Sequence, residues 1–328
     1  MKLEFKKYAY LFLGIITISI VFYFFFIRSN RVVIDSDDKN TYDLHVYPWG
    51  TQIMIKDLMT SSHTGDVINK EFIWERKPQK YSGFYQLDTG SHLLTDLLMM
   101  SRNDLKNNLD KHGVQYDDLH SSGYAYLQGG TPPINIDQDV RIDNKPHRMP
   151  VGLMALGEQK NMLREREIVN GVFGLAHIHD GHPLKNYAVT DVLFKTSLRK
   201  TIMIDFKNEK MIVGASEPND YTFKGKMDYG NRQNNMMRMD VWIRDDRGEQ
   251  NKLLVDTGTL YSQYLYTGPL TLNGIDERGS KGILKMHNAK ILPKNLVGVG
   301  QKILGYNDLY KGYMYIDYET DTIYINQN

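Results

Sequence analysis

The sequence lacks cysteine altogether: none of its 328 residues is Cys. Disulfides, thiolate nucleophiles and thiolate metal sites are therefore excluded, and the fold has to be stable without covalent cross-links. An excess of one charge is also lacking, because 40 Lys and Arg residues stand against 39 Asp and Glu. The formal net charge is +1 and no block of like charges occurs, so we expect no nucleic-acid partner.

Helical patterns are scarce as well. Only residues 93–109 and 188–200 show apolar side chains at helical spacing. The hydrophobic fraction of 41% and the charged fraction of 24% are those of an ordinary globular protein. The 22 Tyr residues and the short runs of Ile and Val favour strands. We therefore predict an all-β fold.

The sequence has one long hydrophobic run, residues 8–27, which contains no charged residue. Twenty helical residues can cross a bilayer core of about 30 Å. Lys2, Lys6 and Lys7 precede the run and place the N-terminus in the cytoplasm by the positive-inside rule. We predict a cytoplasmic stub and membrane anchor over 1–28, with the remainder extracytoplasmic (periplasmic, extracellular or lumenal). A cleaved signal peptide is the alternative, but Phe-Phe-Phe-Ile-Arg is a poor cleavage site.

An internal repeat organises the remainder of the chain. Residues 71–88 and 239–256 each read as strand, polar turn, strand and then Asp, which is typical of a hairpin. A second pair of hairpins, 200–213 and 312–325, matches without a gap. The repeat predicts three units and leaves residues 29–65 as a linker, a first strand or a prosegment. These units are an N-terminal catalytic lobe over 66–215, a connector over 216–235 and a C-terminal catalytic lobe over 236–328.

Each copy of the repeat ends in the same tripeptide, Asp-Thr-Gly, at Asp88 and at Asp256. One such tripeptide is most simply a polar turn, since Asp and Gly are common turn residues. Two copies at equivalent places in a repeat are better explained by a shared catalytic role than by two unrelated turns. Two carboxyl groups held close together share one proton, so that one can activate a water molecule while the other protonates a leaving amide. Gly90 and Gly258 let the backbone turn tightly and donate amide N–H groups toward the carboxylates.

The paired turns resemble those of the pepsin family of aspartic proteases. The resemblance covers roughly residues 66–328 and implies a bilobal pepsin-like acid protease fold, here with an N-terminal transmembrane helix. It implies that Asp88 and Asp256 hold the lytic water. The family's supporting roles then fall on residues that match its motif. These are Thr89 and Thr257 for hydrogen bonds across the lobe interface, Ser91 and Thr259 for the outer carboxylate oxygens, Val172-Phe173-Gly174 and Ile303-Leu304-Gly305 for bracing the turns, and Tyr126 (or Tyr124) for the flap over the cleft.

The resemblance implies a membrane-anchored aspartic endopeptidase that needs no cofactor and no metal. Its partners would be a peptide or protein substrate and, through residues 8–27, the lipid bilayer. One alternative is a catalytically silent binding or assembly module, since a fold does not guarantee an activity. A second alternative is a metal hydrolase, because three His and one Asp cluster within a short tract. That tract is His177-Ile178-His179-Asp180-Gly181-His182.

Overall fold

The computed structural model describes most of the chain beyond its first 39 residues, and 56% of the structure is strand against 12% helix. The described residues are 40–58, 81–98, 100–118, 133–155, 170–176, 185–228, 239–291 and 302–328. The strands are β1 (Thr41–Tyr47), β2 (Gly50–Leu58), β3 (Tyr81–Asp88), β4 (Leu94–Leu98), β5 (Asp117–Asp118), β6 (Ile134–Ile142), β7 (Lys145–Ala155), β8 (Gly171–Gly174), β9 (Thr201–Asp205), β10 (Lys210–Val213), β11 (Phe223–Lys226), β12 (Asp240–Arg244), β13 (Gln250–Asp256), β14 (Gln263–Tyr264), β15 (Gly268–Gly274), β16 (Ser280–Ile291), β17 (Lys302–Gly305), β18 (Tyr313–Asp317) and β19 (Thr322–Asn326). The helices are α1 (Arg102–Lys111) and α2 (Val189–Phe194), and short 3-10 helices lie at Lys185–Tyr187, Asp276–Arg278 and Tyr306–Asp308.

Six strands of the first half close into a barrel. Hydrogen bonds run from β2 to β3, β8, β4, β7 and β6 in turn and then return to β2. The β3–β8 and β4–β7 pairs are parallel, and the other pairs are antiparallel. Side chains alternate between the two faces of a strand. In β6 this places Ile136 and Val140 in the buried interior, whereas Asp137 and Asp139 are exposed.

The same circuit of pairings recurs in the second half. It runs from β12 to β13, β17, β14, β16 and β15 and returns to β12. The parallel pairs again stand at corresponding places, β13–β17 and β14–β16. The repeat that is visible in the sequence therefore corresponds to a repeat of strand pairing.

A central sheet joins the two halves. The hairpin β9–β10 of the first half and the hairpin β18–β19 of the second half pair through β9 and β18, with Ile204 opposite Met314. At one side β1 pairs with β10, and at the other β11 pairs with β19. Because hydrogen-bonded strands run continuously from one half into the other, all 19 strands belong to one connected system.

The predicted all-β, bilobal pepsin-like fold with an N-terminal transmembrane helix is wrong as stated. The structure is mainly β with 12% helix, contains a closed six-stranded barrel, and links its halves through a shared sheet. Local sequence patterns indicate strands but not which distant edges pair, so the prediction separated parts that are joined. Residues 41–58 of the predicted linker or prosegment form β1 and β2, and the predicted connector contributes β11.

The predicted membrane span lies outside the described residues, as does the rest of 1–39. Within the described ranges, no helix combines the length and the apolar character needed to cross a membrane. The extracytoplasmic location of the chain beyond residue 28 stays a prediction.

Helix α1 begins later than the sequence pattern predicts. Ser101 caps its N-terminus by accepting a hydrogen bond from the Asp104 backbone N–H, and Leu105 and Leu109 form its buried face. The apolar residues before it, Leu94–Leu98, instead form the fully buried strand β4. A short apolar run inside a barrel cannot be told from a helix by its spacing alone.

Candidate active site

The strands β3 and β13 deliver the two Asp-Thr-Gly turns in the same way. Each strand ends at its Asp, and each is hydrogen-bonded on one side to a parallel strand that ends in Gly. Asp88 lies opposite Gly174 of β8, and Asp256 lies opposite Gly305 of β17. The buried apolar residues of β3 and β13 fix both strands in the barrels, so each Asp is presented at a rigid strand end.

Reciprocal hydrogen bonds between Thr89 and Thr257 tie the two turns together. The backbone N–H of each Thr donates to the hydroxyl oxygen of the other, at 3.1 Å in both directions. Each hydroxyl donates in turn to a carbonyl oxygen in the opposite half: Thr89 to Val255 at 2.9 Å, and Thr257 to Leu87 at 3.0 Å. Both Thr residues are 0% exposed. These four bonds hold residues far apart in sequence in a fixed register.

The carboxyl groups of Asp88 and Asp256 both lie at this junction, close to Gly90 and Gly258. Each accepts a hydrogen bond from the backbone N–H of the Gly in its own turn, Gly90 to Asp88 Oδ1 at 2.7 Å and Gly258 to Asp256 Oδ1 at 2.8 Å. Each also faces the opposite turn. A methyl group added at Gly258 would lie within 2.6 Å of Asp88 Oδ2, and one added at Gly90 would lie 3.0 Å from Asp256 Cγ. A side chain at Gly258 would displace the Asp88 carboxyl group, and one at Gly90 would make a tight contact with the Asp256 carboxyl group. Both Asp residues are half-buried.

The hydroxyl groups that follow the two turns are not equivalent. The Thr259 hydroxyl donates to Asp256 Oδ2 at 2.7 Å, so Asp256 accepts hydrogen bonds at both carboxylate oxygens. In the described part of the chain, the Ser91 hydroxyl forms no such bond to Asp88; the carbonyl oxygen of Ser91 instead accepts the Ala176 N–H at 2.7 Å. The structure therefore places Thr259 in the predicted supporting position, whereas Ser91 contributes a backbone hydrogen bond after the first turn.

The predicted bracing segments lie directly under the turns. The Leu175 N–H donates to the Asp88 carbonyl oxygen, and the Tyr306 N–H donates to the Thr259 carbonyl oxygen, both at 2.8 Å. The backbone approaches so closely that a Cβ at Gly174 or Gly305 would lie 2.5 Å from the carbonyl carbon of Ser91 or Tyr261 respectively. Glycine is required at these two positions because any side chain would push the turn out of place.

Replacing Gly305 by Ala should destabilise the protein by about 1–3 kcal/mol, the usual cost of forcing an extra methyl group into a packed region. The new Cβ meets backbone atoms, which cannot rotate away as a side chain would. The midpoint of urea unfolding, followed by circular dichroism, measures the change. Gly50→Ala is the matched control, because its Cβ would meet only the Gln86 side chain at an ordinary 3.5 Å. Equal midpoints for the two variants would contradict the steric argument.

Gln86 is a site residue that the sequence analysis missed. It stands two residues before Asp88 in β3, so both side chains lie on the same face of the strand. Its Nε2 donates to the carbonyl oxygen of Gly258 at 3.2 Å and thus bridges β3 to the second turn. The period-two alternation of the strand could have identified Gln86, but nothing in the sequence indicates its partner.

Other predicted site residues lie outside the described residues. Tyr126 and Tyr124, assigned to the flap, fall in 119–132, and the His tract falls in 177–184. Within the ranges that the structure describes, no group of three or more His, Asp or Glu side chains is arranged to hold a metal ion. The flap assignment therefore stays a prediction.

No protein-family model matches the chain. No curated protein matches it significantly either. The resemblance to the pepsin family stays a prediction from the paired turns, and the function has to be inferred from the geometry of the site.

Proposed function

We propose that the protein is an aspartic endopeptidase in which Asp88 and Asp256 act together on one water molecule. The observation that carries the proposal is the reciprocal Thr89–Thr257 contact, which brings two Asp carboxyl groups from distant parts of the chain to one junction. A pair of turns with a purely structural role would not need each carboxyl group to lie against the glycine of the other turn. Half-buried side chains at strand ends are also accessible to a substrate.

The chemistry follows from two carboxyl groups that share a single proton. The ionised carboxylate accepts a proton from the bound water while the water oxygen attacks the carbonyl carbon of the substrate. The protonated carboxyl group donates its proton to the carbonyl oxygen, giving a neutral tetrahedral gem-diol. Transfer of a proton to the amide nitrogen then allows the C–N bond to break, and the products are a carboxylic acid and an amine. No covalent intermediate forms, and one water molecule is consumed per bond cleaved.

Backbone hydrogen bonds hold the two carboxyl groups in fixed orientations for these proton transfers. The N–H groups of Gly90 and Gly258 each donate to one carboxylate oxygen, which fixes the plane of each carboxyl group. Thr259 adds a second donor to Asp256. Fixed hydrogen-bond donors orient charged groups without reorganisation during the reaction, which is an effective form of catalytic stabilisation. Gln86 lies on the same face of β3 as Asp88 and bonds to the carbonyl oxygen of Gly258.

The purified full-length protein should cleave an unfolded protein substrate such as reduced and alkylated casein. A statine-type peptide, whose hydroxyl group mimics the tetrahedral intermediate, should inhibit the cleavage, since such analogues bind about 10²-fold or more tighter than substrates. Mass spectrometry of the fragments measures the cleavage sites.

The same assay separates the proposal from its alternatives. Inhibition by a chelator but not by the statine-type peptide would indicate a metal hydrolase. Absence of cleavage at every pH between 3 and 8, together with absence of statine binding by calorimetry, would overturn the proposal and favour a binding module.

A further inference from the structure

The bracing glycines of the two halves are bonded differently. In the first half, the Gly174 N–H donates to the carbonyl oxygen of Leu93 at 2.9 Å. In the second half, the Gly305 N–H donates to the side-chain hydroxyl of Ser262, also at 2.9 Å. Leu94 stands at the corresponding position of the first half, six residues after its Asp (94 − 88 and 262 − 256), and has no hydroxyl group. Because a hydroxyl group also donates, the position of Ser262 Oγ depends on its own acceptor.

Asp308, the last residue of the 3-10 helix Tyr306–Asp308, supplies that acceptor. The Ser262 hydroxyl donates to Asp308 Oδ2. Asp308 Oδ1 accepts the His287 backbone N–H at 2.9 Å and lies 2.8 Å from the ring nitrogen Nδ1 of the same residue. The Asp308 side chain is only 4% exposed, whereas that of His287 is 60% exposed. A chain of hydrogen bonds therefore runs from an exposed imidazole in β16, through a buried carboxyl group, to Gly305.

The same chain fastens segment 305–308 to segment 259–262, which directly follows the second Asp-Thr-Gly turn. Two backbone N–H groups of the first segment donate to carbonyl oxygens of the second, at 2.8 and 3.0 Å. Thr259, at the start of the second segment, donates its hydroxyl to Asp256 Oδ2 at 2.7 Å. A displacement of segment 259–262 would therefore move a donor that orients the Asp256 carboxyl group.

We propose that Asp308 is a positioning residue for Asp256, which it supports by holding Ser262 against the second turn. His287 keeps the Asp308 carboxyl group in place from the surface. In the first half a backbone carbonyl holds the corresponding glycine, so holding such a glycine does not in itself require a buried carboxyl group. The support matters for the rate because a misplacement of about 1 Å can slow a reaction about 10²-fold. This role rests on the proposed function, since it serves the same carboxyl pair.

Kinetics of the full-length protein test the positioning role, with a fluorogenic peptide built around a bond that the native protein cleaves in casein. His287→Ala should lower kcat by about 10–10²-fold with KM unchanged, because a support of the carboxyl pair is lost and no substrate contact is. His287→Asn should recover most of kcat, since its side-chain amide can donate to Asp308 in place of Nδ1. Lys285→Ala removes an exposed side chain from the same strand and should leave kcat unchanged. A native kcat in His287→Ala, or a loss that His287→Asn does not reverse, would overturn the proposal.

The amide resonance of Gly305 gives a readout that needs no activity. In full-length protein with isotope-labelled glycine, NMR of Ser262→Ala should show a shifted Gly305 N–H proton, because the bond to the Ser262 hydroxyl is lost. His287→Ala should shift this resonance by less, and Lys285→Ala should not shift it. If Ser262→Ala does not fold, the exposed His287→Ala variant still decides the outcome, and an unmoved Gly305 resonance in it would overturn the positioning role. Absence of cleavage by the native protein would instead overturn the proposed function, and the positioning role with it.

Discussion

Replacing Asp256 by Asn should lower kcat/KM for peptide cleavage by about 10²–10⁴-fold, the usual contribution of a group that transfers protons in the transition state. Asn has nearly the same shape and can still accept the Gly258 N–H bond, which is 2.8 Å in the native protein. It cannot accept a proton from water at neutral or acidic pH. The loss of activity should therefore occur without loss of the fold, which circular dichroism and the urea midpoint measure.

The same substitution at Asp88 is the strongest check on this expectation. Asp88→Asn should reduce cleavage as much as Asp256→Asn, and the double variant should be little worse than either single variant, because the two groups act as one unit. Asp276→Asn, in an exposed 3-10 helix, is the control for the removal of one charge. An Asp256→Asn protein with undiminished activity would show that the carboxyl pair is not the catalytic centre.

Replacing Thr257 by Val should destabilise the protein by about 2–6 kcal/mol, because two buried backbone groups lose their partner. Valine fills the same volume but removes a hydroxyl group that accepts from the Thr89 N–H and donates to the Leu87 carbonyl oxygen. Both of those backbone groups are buried, and each costs about 1–3 kcal/mol when it is left without a partner. Urea unfolding measures the free energy of unfolding. Cleavage should fall in parallel, since the register of the two turns depends on this bond.

Thr257→Ser keeps the hydroxyl group and should keep most of the stability, which separates the hydrogen bonds from the packing of the methyl group. Thr89→Val should have a similar effect to Thr257→Val. The two changes remove different hydrogen bonds, those of the Thr257 hydroxyl and those of the Thr89 hydroxyl. Because the two residues are in contact, a double-mutant cycle should nevertheless show a coupling energy of about 0.5–3 kcal/mol. A stability of Thr257→Val equal to that of the native protein would mean that the turns are held together by other contacts.

The sequence predicted the local elements of this fold better than their assembly. The strands that end at Asp88 and Asp256 were predictable because a run of apolar residues leads into a turn motif twice. The pairing of β9 with β18 was not predictable, because period-two alternation shows which face of a strand is buried but not which neighbour it has. The strands β1 and β2 were left ambiguous for the same reason: their mixed composition is decided by the sheet they join.

In the candidate site, too, some features could be predicted from the sequence and others could not. The approach of the two Asp-Thr-Gly turns could be predicted, because the motif occurs twice at equivalent places in the repeat. The difference between Ser91 and Thr259 could not, because the direction of a hydroxyl group depends on neighbours from other strands. The bond from Gln86 to Gly258 joins residues that only the folded chain brings together.

The junction between the two turns also governs when activity can arise during synthesis. Asp256 leaves the ribosome 168 residues after Asp88 (256 − 88), and β18, the partner of β9 in the central sheet, follows later still. Under the proposed function, a nascent chain with only its first barrel folded carries half of the catalytic pair and is harmless to its surroundings. Hydrolysis then begins only after Asp256 and β18 have been synthesised and the two halves have docked.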